Sequence, residues 1–293
     1  EIPTFQGGME HVGAIWLGTP ILDGSFQGDY VVVHEVLHHY FGNNVRIVDW
    51  PHFWLSEGVT EWVTNFAILE ELFGSSTARI GQETYRTNAA LHSYPLTAMS
   101  PPPGPLRFDD DEDMMDQVVN NLLFFYYYGA AFLEMVDERL RRNFATDLIE
   151  MLSSWFVSHR GRDVSTEQFL AHLQELTGEQ DMWEDLFAQW VYSGPCPTLQ
   201  YENYAYSDGH LSFELERQEG GGQDLHDLEI AARVAGRSYR GSVSLLAGEI
   251  RTEVTIDLPA APEEILIDPE GMYILRLRAE TSWSGPGVGI MAP

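Results

Sequence analysis

His34-Glu35-Val36-Leu37-His38, followed further on by Trp54-Leu55-Ser56-Glu57-Gly58, decides how this chain is read. Two histidines four residues apart share one face of a helix, so both imidazoles can grip one ion. Glu35 lies one step round the helix from His34, beside such an ion rather than on it, where it can reach a bound water. Catalytic zinc takes three protein ligands and keeps a fourth position open. The third ligand should come from a nearby second helix. Glu57 is the best candidate: eighteen residues separate it from His38, enough to end one helix, turn and run back. The expectation is therefore one zinc ion per chain, bound by His34, His38 and Glu57. H-E-x-x-H by itself fixes only three positions, and such a His pair can be an ordinary surface or core pair. Glu57 is what turns the reading towards a metal. Glu61, four residues beyond Glu57, shares its helix face. It either accepts the free N–H of a metal-bound histidine or is an exposed helix carboxylate. His39 points elsewhere on the helix and is not expected to be a ligand.

Outward from this pair, the spacing predicts a helix from a cap at Asp29 to about Phe41, stopped by Gly42-Asn43-Asn44. The run Val31-Val32-Val33 favours a strand instead, but the length of the pattern and its stop favour helix. Pro51 suits the first turn of a second helix reaching about Phe73, before Gly74. Further helices are expected over Thr77–His92, Met114–Arg142, Phe144–His159, Thr166–Leu176 and Met182–Tyr192. Residues 1–24 read as extended. Residues 95–113 read as a loop, with Pro101-Pro102-Pro103 and an acidic run from Asp109 to Asp113 that suits a solvated face or a helix start. Gly194-Pro195-Cys196-Pro197 reads as a linker. Beyond it, Leu211–Arg217, Leu228–Val234, Ser242–Leu246, Glu249–Leu258 and Tyr273–Arg278 alternate in the manner of strands. The last dozen residues read as a tail. The expected fold class is α+β: a mainly helical zinc domain over residues 1–194, then a small antiparallel β-sandwich over 195–293.

Composition narrows the partners. The chain carries 45 acidic and 16 basic residues for a net charge of −29, and every basic residue is Arg. Such a surface repels nucleic acid and anionic membrane, so neither is an expected partner. A GC-rich genome with selection for solubility accounts for this charge as well as a salty habitat does. No apolar stretch approaches the ~20 residues that a membrane span needs. Cys196 stands alone, which excludes an intrachain disulfide and a cysteine-based metal site. A secreted or cell-envelope location is expected ahead of a cytoplasmic one.

Four motifs in order carry a resemblance. Gly7-Gly8-Met9-Glu10-His11 comes first, then His34 to His38 with Phe41-Gly42-Asn43, then Trp54 to Gly58, then Tyr126-Tyr127-Tyr128-Gly129. The chain resembles the aminopeptidase N family of gluzincin metallopeptidases, which carries G-x-M-E-N, H-E-x-x-H, F-G-N, W-L-N-E-G and Y-x-K-G. The likeness covers most of the chain. His11 stands where the family has Asn, which is closer to the G-G-L-E-H of the related glycyl aminopeptidases. Those enzymes usually space the second His and the Glu further apart. Tyr128 stands where the family has Lys.

The resemblance implies a thermolysin-like zinc domain that removes N-terminal residues from peptides. It also implies an N-terminal β-domain that this sequence does not contain, so a missing N-terminal domain or a partner chain is expected to complete the substrate site. It assigns Glu35 to proton transfer from the metal-bound water and Tyr126 to the oxyanion. Gly8, Met9 and Glu10 fall to substrate binding, with the Glu10 carboxylate meeting the α-ammonium group. Two neighbouring tyrosines compete with Tyr126, and only its spacing to Gly129 selects it. The rival readings are an endopeptidase of the same clan and a non-catalytic peptide-binding scaffold that retains the zinc site.

Overall fold

The computed structural model describes residues 7–91, 111–193, 196–219, 222–278 and 289–291. The expected loop at 95–113 lies largely outside these residues, as do Gly194-Pro195 and most of the expected tail. Helices fill the first part of the chain and strands the second. The chain divides into two compact units inside one helix, after Phe187.

The first unit opens with two short antiparallel strands, β1 (Gly8–Met9) and β2 (Trp16–Leu17). Helix α1 runs Phe26–Leu37 and carries the H-E-x-x-H motif at its end. Its cap is Ser25, whose hydroxyl accepts from the Gly28 N–H, rather than the expected Asp29. Asp29 sits in the first turn instead, where a carboxylate suits the positive end of the helix dipole. The chain leaves α1 through Gly42 at φ +119°. A side chain there would strike Ser56 Oγ and His38 Nδ1, so glycine is required on both counts.

Strand β3 (Arg46–Ile47) leads into α2, Trp54–Trp62. Every residue of α2 is buried, which explains why its motif reads apolar around two carboxylates. Trp54 anchors it: the fully buried ring meets Phe132, Phe169 and Phe187 edge-on, and its indole N–H donates to Thr166 Oγ1 at 3.0 Å. The expected continuous helix to Phe73 is instead three pieces. A π-helical stretch, Val63–Ile68, separates α2 from α3 (Leu69–Phe73), and Gly74 ends the run at φ +87°. Helix α4 follows over Ser75–Leu91.

Helix α5, Asp111–Asn143, starts earlier than expected, so the end of the acidic run belongs to the helix start. It packs along α2 at one point of unusually close approach. A Cβ built on Gly58 would lie 2.9 Å from Gly129 Cα, backbone against backbone. Helix α6 is Leu148–His159, capped by the Asp147 side chain, and the Phe144 start expected from the sequence falls in the turn before it. Strand β4 (Asp163–Val164) pairs in parallel with β3, and helices α7 (Thr166–Thr177) and α8 (Asp181–Trp190) complete the helical run.

The second unit holds two four-stranded sheets built from β5 (Thr198–Ser207), β6 (His210–Glu219), β7 (Leu225–Val234), β8 (Arg237–Leu245), β9 (Arg251–Asp257), β10 (Glu264–Ile267), β11 (Arg276–Arg278) and β12 (Gly289–Met291). Their orders are β12-β10-β7-β8 and β11-β5-β6-β9. Each is antiparallel except for one parallel edge, β12 beside β10 and β11 beside β5. The antiparallel character expected from the sequence holds for the remaining pairings of both sheets. The tail expectation is corrected, since β12 lies in it. Strand β5 escaped the sequence reading because a register shift between Glu202 and Ala205, with Asn203 at φ 56°, breaks its alternation.

The Gly58–Gly129 approach sets a test. Gly58→Ala forces a methyl into the facing backbone, which overpacking data value at roughly 1–3 kcal/mol. Denaturant unfolding should show a loss of that size, whereas Gly161→Ala, at an open turn, should show mainly the smaller backbone cost of its positive φ.

Candidate metal centre

Helices α1 and α2 bring three of the expected residues to one point. One ligand atom each from His34, His38 and Glu57 lies within 4.8 Å of the others, and all three residues are buried. Glu57 Oε2 stands 3.4 Å from His34 Nε2 and 3.2 Å from His38 Nε2. The two Nε2 atoms are 2.9 Å apart.

An acceptor oxygen faces the far side of each ring. His38 Nδ1 lies 2.9 Å from the Phe41 carbonyl, which can only accept, so Nδ1 carries the hydrogen. His34 Nδ1 lies 2.9 Å from Glu61 Oε1, likewise an acceptor. That approach is short but oblique, and Nδ1 counts among the buried nitrogens without a well-aligned hydrogen bond. In neutral rings both Nε2 atoms therefore present lone pairs, facing each other and a carboxylate oxygen. Only a positive charge between them relieves this arrangement. The electrostatics agree: burial alone would lower the His34 pKa, but Glu61 and Glu57 outweigh it and raise it to about 10. Burial would raise Glu57, and the two histidines overcome it and hold it near 2. The donor set fits a divalent cation with nitrogen and oxygen ligands.

Glu35 is buried next to this point. Burial raises its pKa to about 7, with the imidazoles pulling down and the Glu10 and Glu57 charges pushing up. Its Oε2 has no hydrogen-bond partner among the described residues. Strand β1 passes directly over it, since a Cβ on Gly8 would lie 2.4 Å from the Glu35 carboxylate. Glu10, Glu35 and His38 form a second close group of possible ligand atoms within 4.8 Å. His38 belongs to both groups, so they are neighbouring parts of one site. Met9 is 40% exposed beside them. The Asn43 side-chain amide donates to the Glu10 carbonyl and ties β1 to the turn after α1.

Tyr126 stacks on His34, with ring centroids 5.8 Å apart and planes 15° from parallel. Burial, then the Glu57 charge, pushes its phenol pKa up, so it keeps its proton. Its neighbours turn away: Tyr128 is fully buried, and Tyr127 packs edge-on to Tyr85. Between the two readings of Glu61, the structure gives a carboxylate only 3% exposed. Its surroundings include residues that the sequence reading passed over, Tyr30, Asn65 and Tyr85. For Tyr30 and Asn65 a signal existed, because each sits four helical residues from a metal-centre side chain. Tyr85 offered none. His39 takes no part in either candidate group.

Residues 2–190 match the family model described as the Peptidase family M1 domain. Aminopeptidase M1-B of Oryza sativa subsp. japonica is 28% identical over 184 residues, covering 61% of this chain and 19% of its own length. Human aminopeptidase B is 33% identical over 91 residues, covering 31% of this chain and 14% of its own. The crystal structure of Legionella pneumophila aminopeptidase A in complex with aspartic acid superposes with a TM-score of 0.65 at 18% identity, over 94% of this chain and 31% of that one. The chain thus spans about a fifth or less of the length of these curated relatives, and about a third of that solved chain.

Gly8 yields a prediction about position. In a Gly8→Ala variant the strand backbone cannot give, so the flexible Glu35 arm should swing away. A crystal structure should show the carboxyl displaced from the metal-ligand group, with the melting temperature little changed.

Proposed function

The chain belongs to peptidase family M1, and on that premise we propose that it is a zinc-dependent aminopeptidase. The observation that carries the proposal is the convergence of His34 Nε2, His38 Nε2 and Glu57 Oε2, with Glu35 and Tyr126 beside them. We infer further that residues 1–194 form a thermolysin-like zinc unit and that the two sheets of residues 195–293 close into a β-sandwich. Gly241 of β8 lying against Ile256 of β9 supports the latter.

When bound, zinc supplies a Lewis acid that lowers the pKa of a coordinated water and polarises a carbonyl. This chain's own residues then do the rest. Glu35, held near neutrality by burial, takes the proton of the attacking water and passes it to the leaving amine. The Tyr126 hydroxyl, still protonated, donates to the oxygen on which negative charge develops. Glu10 pairs with the free α-ammonium group of the peptide, and the charge-assisted bond sets the scissile carbonyl at the metal. Gly8 keeps β1 close over Glu35, and the exposed Met9 side chain flanks the first residue of the substrate.

Substitutions separate these roles. His38→Ala with Glu57→Ala should abolish bound zinc, as read by elemental analysis. Wild-type zinc in that variant sinks the assignment. Glu35→Gln should retain zinc and lose roughly 100- to 10,000-fold in kcat, since an amide cannot accept the proton. Tyr126→Phe should lower kcat by roughly 100-fold, the scale of one oxyanion donor, while Tyr127→Phe does much less. Leu-anilide should be cut well and acetyl-Leu-anilide poorly, with Glu10→Ala narrowing the gap. Equal rates in the wild type favour the endopeptidase reading instead.

A further inference from the structure

Behind the metal-ligand group lies a buried network that the proposed chemistry does not use. Glu61 Oε2 accepts from the hydroxyls of both Tyr30 and Tyr85, and the two hydroxyls lie 2.6 Å from each other. Asn65 Nδ2 is 2.8 Å from the same oxygen, 2.8 Å from Tyr30 Oη and 2.9 Å from the Glu61 carbonyl. The other oxygen, Oε1, faces His34 Nδ1. The five side chains come from four elements: Tyr30 and His34 from α1, Glu61 from α2, Asn65 from the π-helical stretch and Tyr85 from α4.

The proton count shows what the network does. Two phenol protons serve three hydroxyl contacts, so one contact is always without its proton. With its two hydrogens the Asn65 amide can donate to Glu61 Oε2 and to Tyr30 Oη, and the Tyr30–Tyr85 contact is then the one without a proton. Both phenols can then aim at Glu61. Burial first, and the Glu61 charge second, push the pKa of both phenols up, so both remain donors. Glu61 is thus fixed on one oxygen by three donors, which leaves Oε1 turned to His34. A carboxylate held this way keeps Oε1 as an acceptor 2.9 Å from His34 Nδ1, which favours the tautomer that offers Nε2 to the metal. The π-helical stretch contributes here as well. It directs the Asn65 amide back onto the turn that bears Glu61, and such insertions often mark functional positions.

We propose that Tyr30, Tyr85 and Asn65 are positioning residues for the metal centre, acting on zinc affinity through Glu61 and His34. This rests on the zinc reading. Residues behind a metal-bound histidine commonly change metal affinity by about 10- to 100-fold when replaced. A contact that matters only for folding would instead lower stability and leave the affinity of the folded protein unchanged.

The test uses the full chain, stripped of metal and reloaded. Zinc affinity is measured by competition with a chromophoric chelator, and the visible spectrum is recorded after loading with cobalt(II). Tyr30→Phe with Tyr85→Phe should weaken zinc binding about 10-fold or more and shift the cobalt bands. Asn65→Leu should act in the same direction. Tyr206→Phe removes a phenol that donates to the Leu258 carbonyl in the second unit, and should change neither readout. In a Glu61→Gln background the tyrosine substitutions should add little, because their route to the metal has been cut. An unchanged affinity and cobalt spectrum in the double tyrosine variant overturns the inference. Full additivity with Glu61→Gln overturns it as well. A wild type that takes up no zinc overturns the zinc reading itself, before any variant is compared.

Discussion

Two imidazole nitrogens facing each other at 2.9 Å, with a carboxylate oxygen alongside, form the contact around which the first unit is arranged. Left neutral, they repel; given a cation, they are three good ligands. Burying such a set is costly unless its charge is compensated. The surrounding sequence supplies the means. Acceptors stand on the far side of both rings, and the carboxylates offset the desolvation that would strip charge from the histidines. Helix α2 meets this demand by being buried along its whole length, Glu57 and Glu61 included.

Precision at that point depends on packing further away. Trp54 lies three residues before Glu57, and its ring sits among Phe132, Phe169 and Phe187. The position of Glu57, a candidate ligand, is thereby tied to an aromatic core drawn from α5, α7 and α8. Interiors packed to crystal-like density transmit displacement rather than absorb it. The absence of a side chain at Gly8 serves the opposite end of the site, letting a strand edge pass within reach of Glu35.

Much of this was legible in the sequence, and the reasons are specific. Spacing of four along a helix places His34 with His38, and Glu57 with Glu61, whatever the rest of the fold does. The helix over the Val31–Val33 run was legible from its length and stop, although its cap was misplaced because Ser25 lies outside the apolar pattern. The π-helical stretch was not legible. It continues a helical pattern without any Pro or Gly to announce it. Strand β5 was hidden by its own bulge, and β12 by a Gly-rich composition. Tyr85 had no local marker, since its partners come from helices distant in sequence. Glu61 could not be decided by spacing alone: exposure and burial look alike until α4 is folded over the site.

The crossing of α2 and α5 at Gly58 and Gly129 has a consequence for how this protein can change over time. With no side chains between them, the two helices lack the cushion that usually lets neighbours drift independently. Tyr126 sits one turn before the crossing on one helix and Glu57 one residue before it on the other. Deleting a single residue between Tyr126 and Gly129 would swing the phenol by about 100° around the helix axis. A compensating shift in α2 would carry the ligand away with it. Length changes in this part of the chain are therefore confined to the segments beyond the crossing. The interval from Tyr126 to Gly129 is a fixed ruler, and selection can rewrite its letters but not its length.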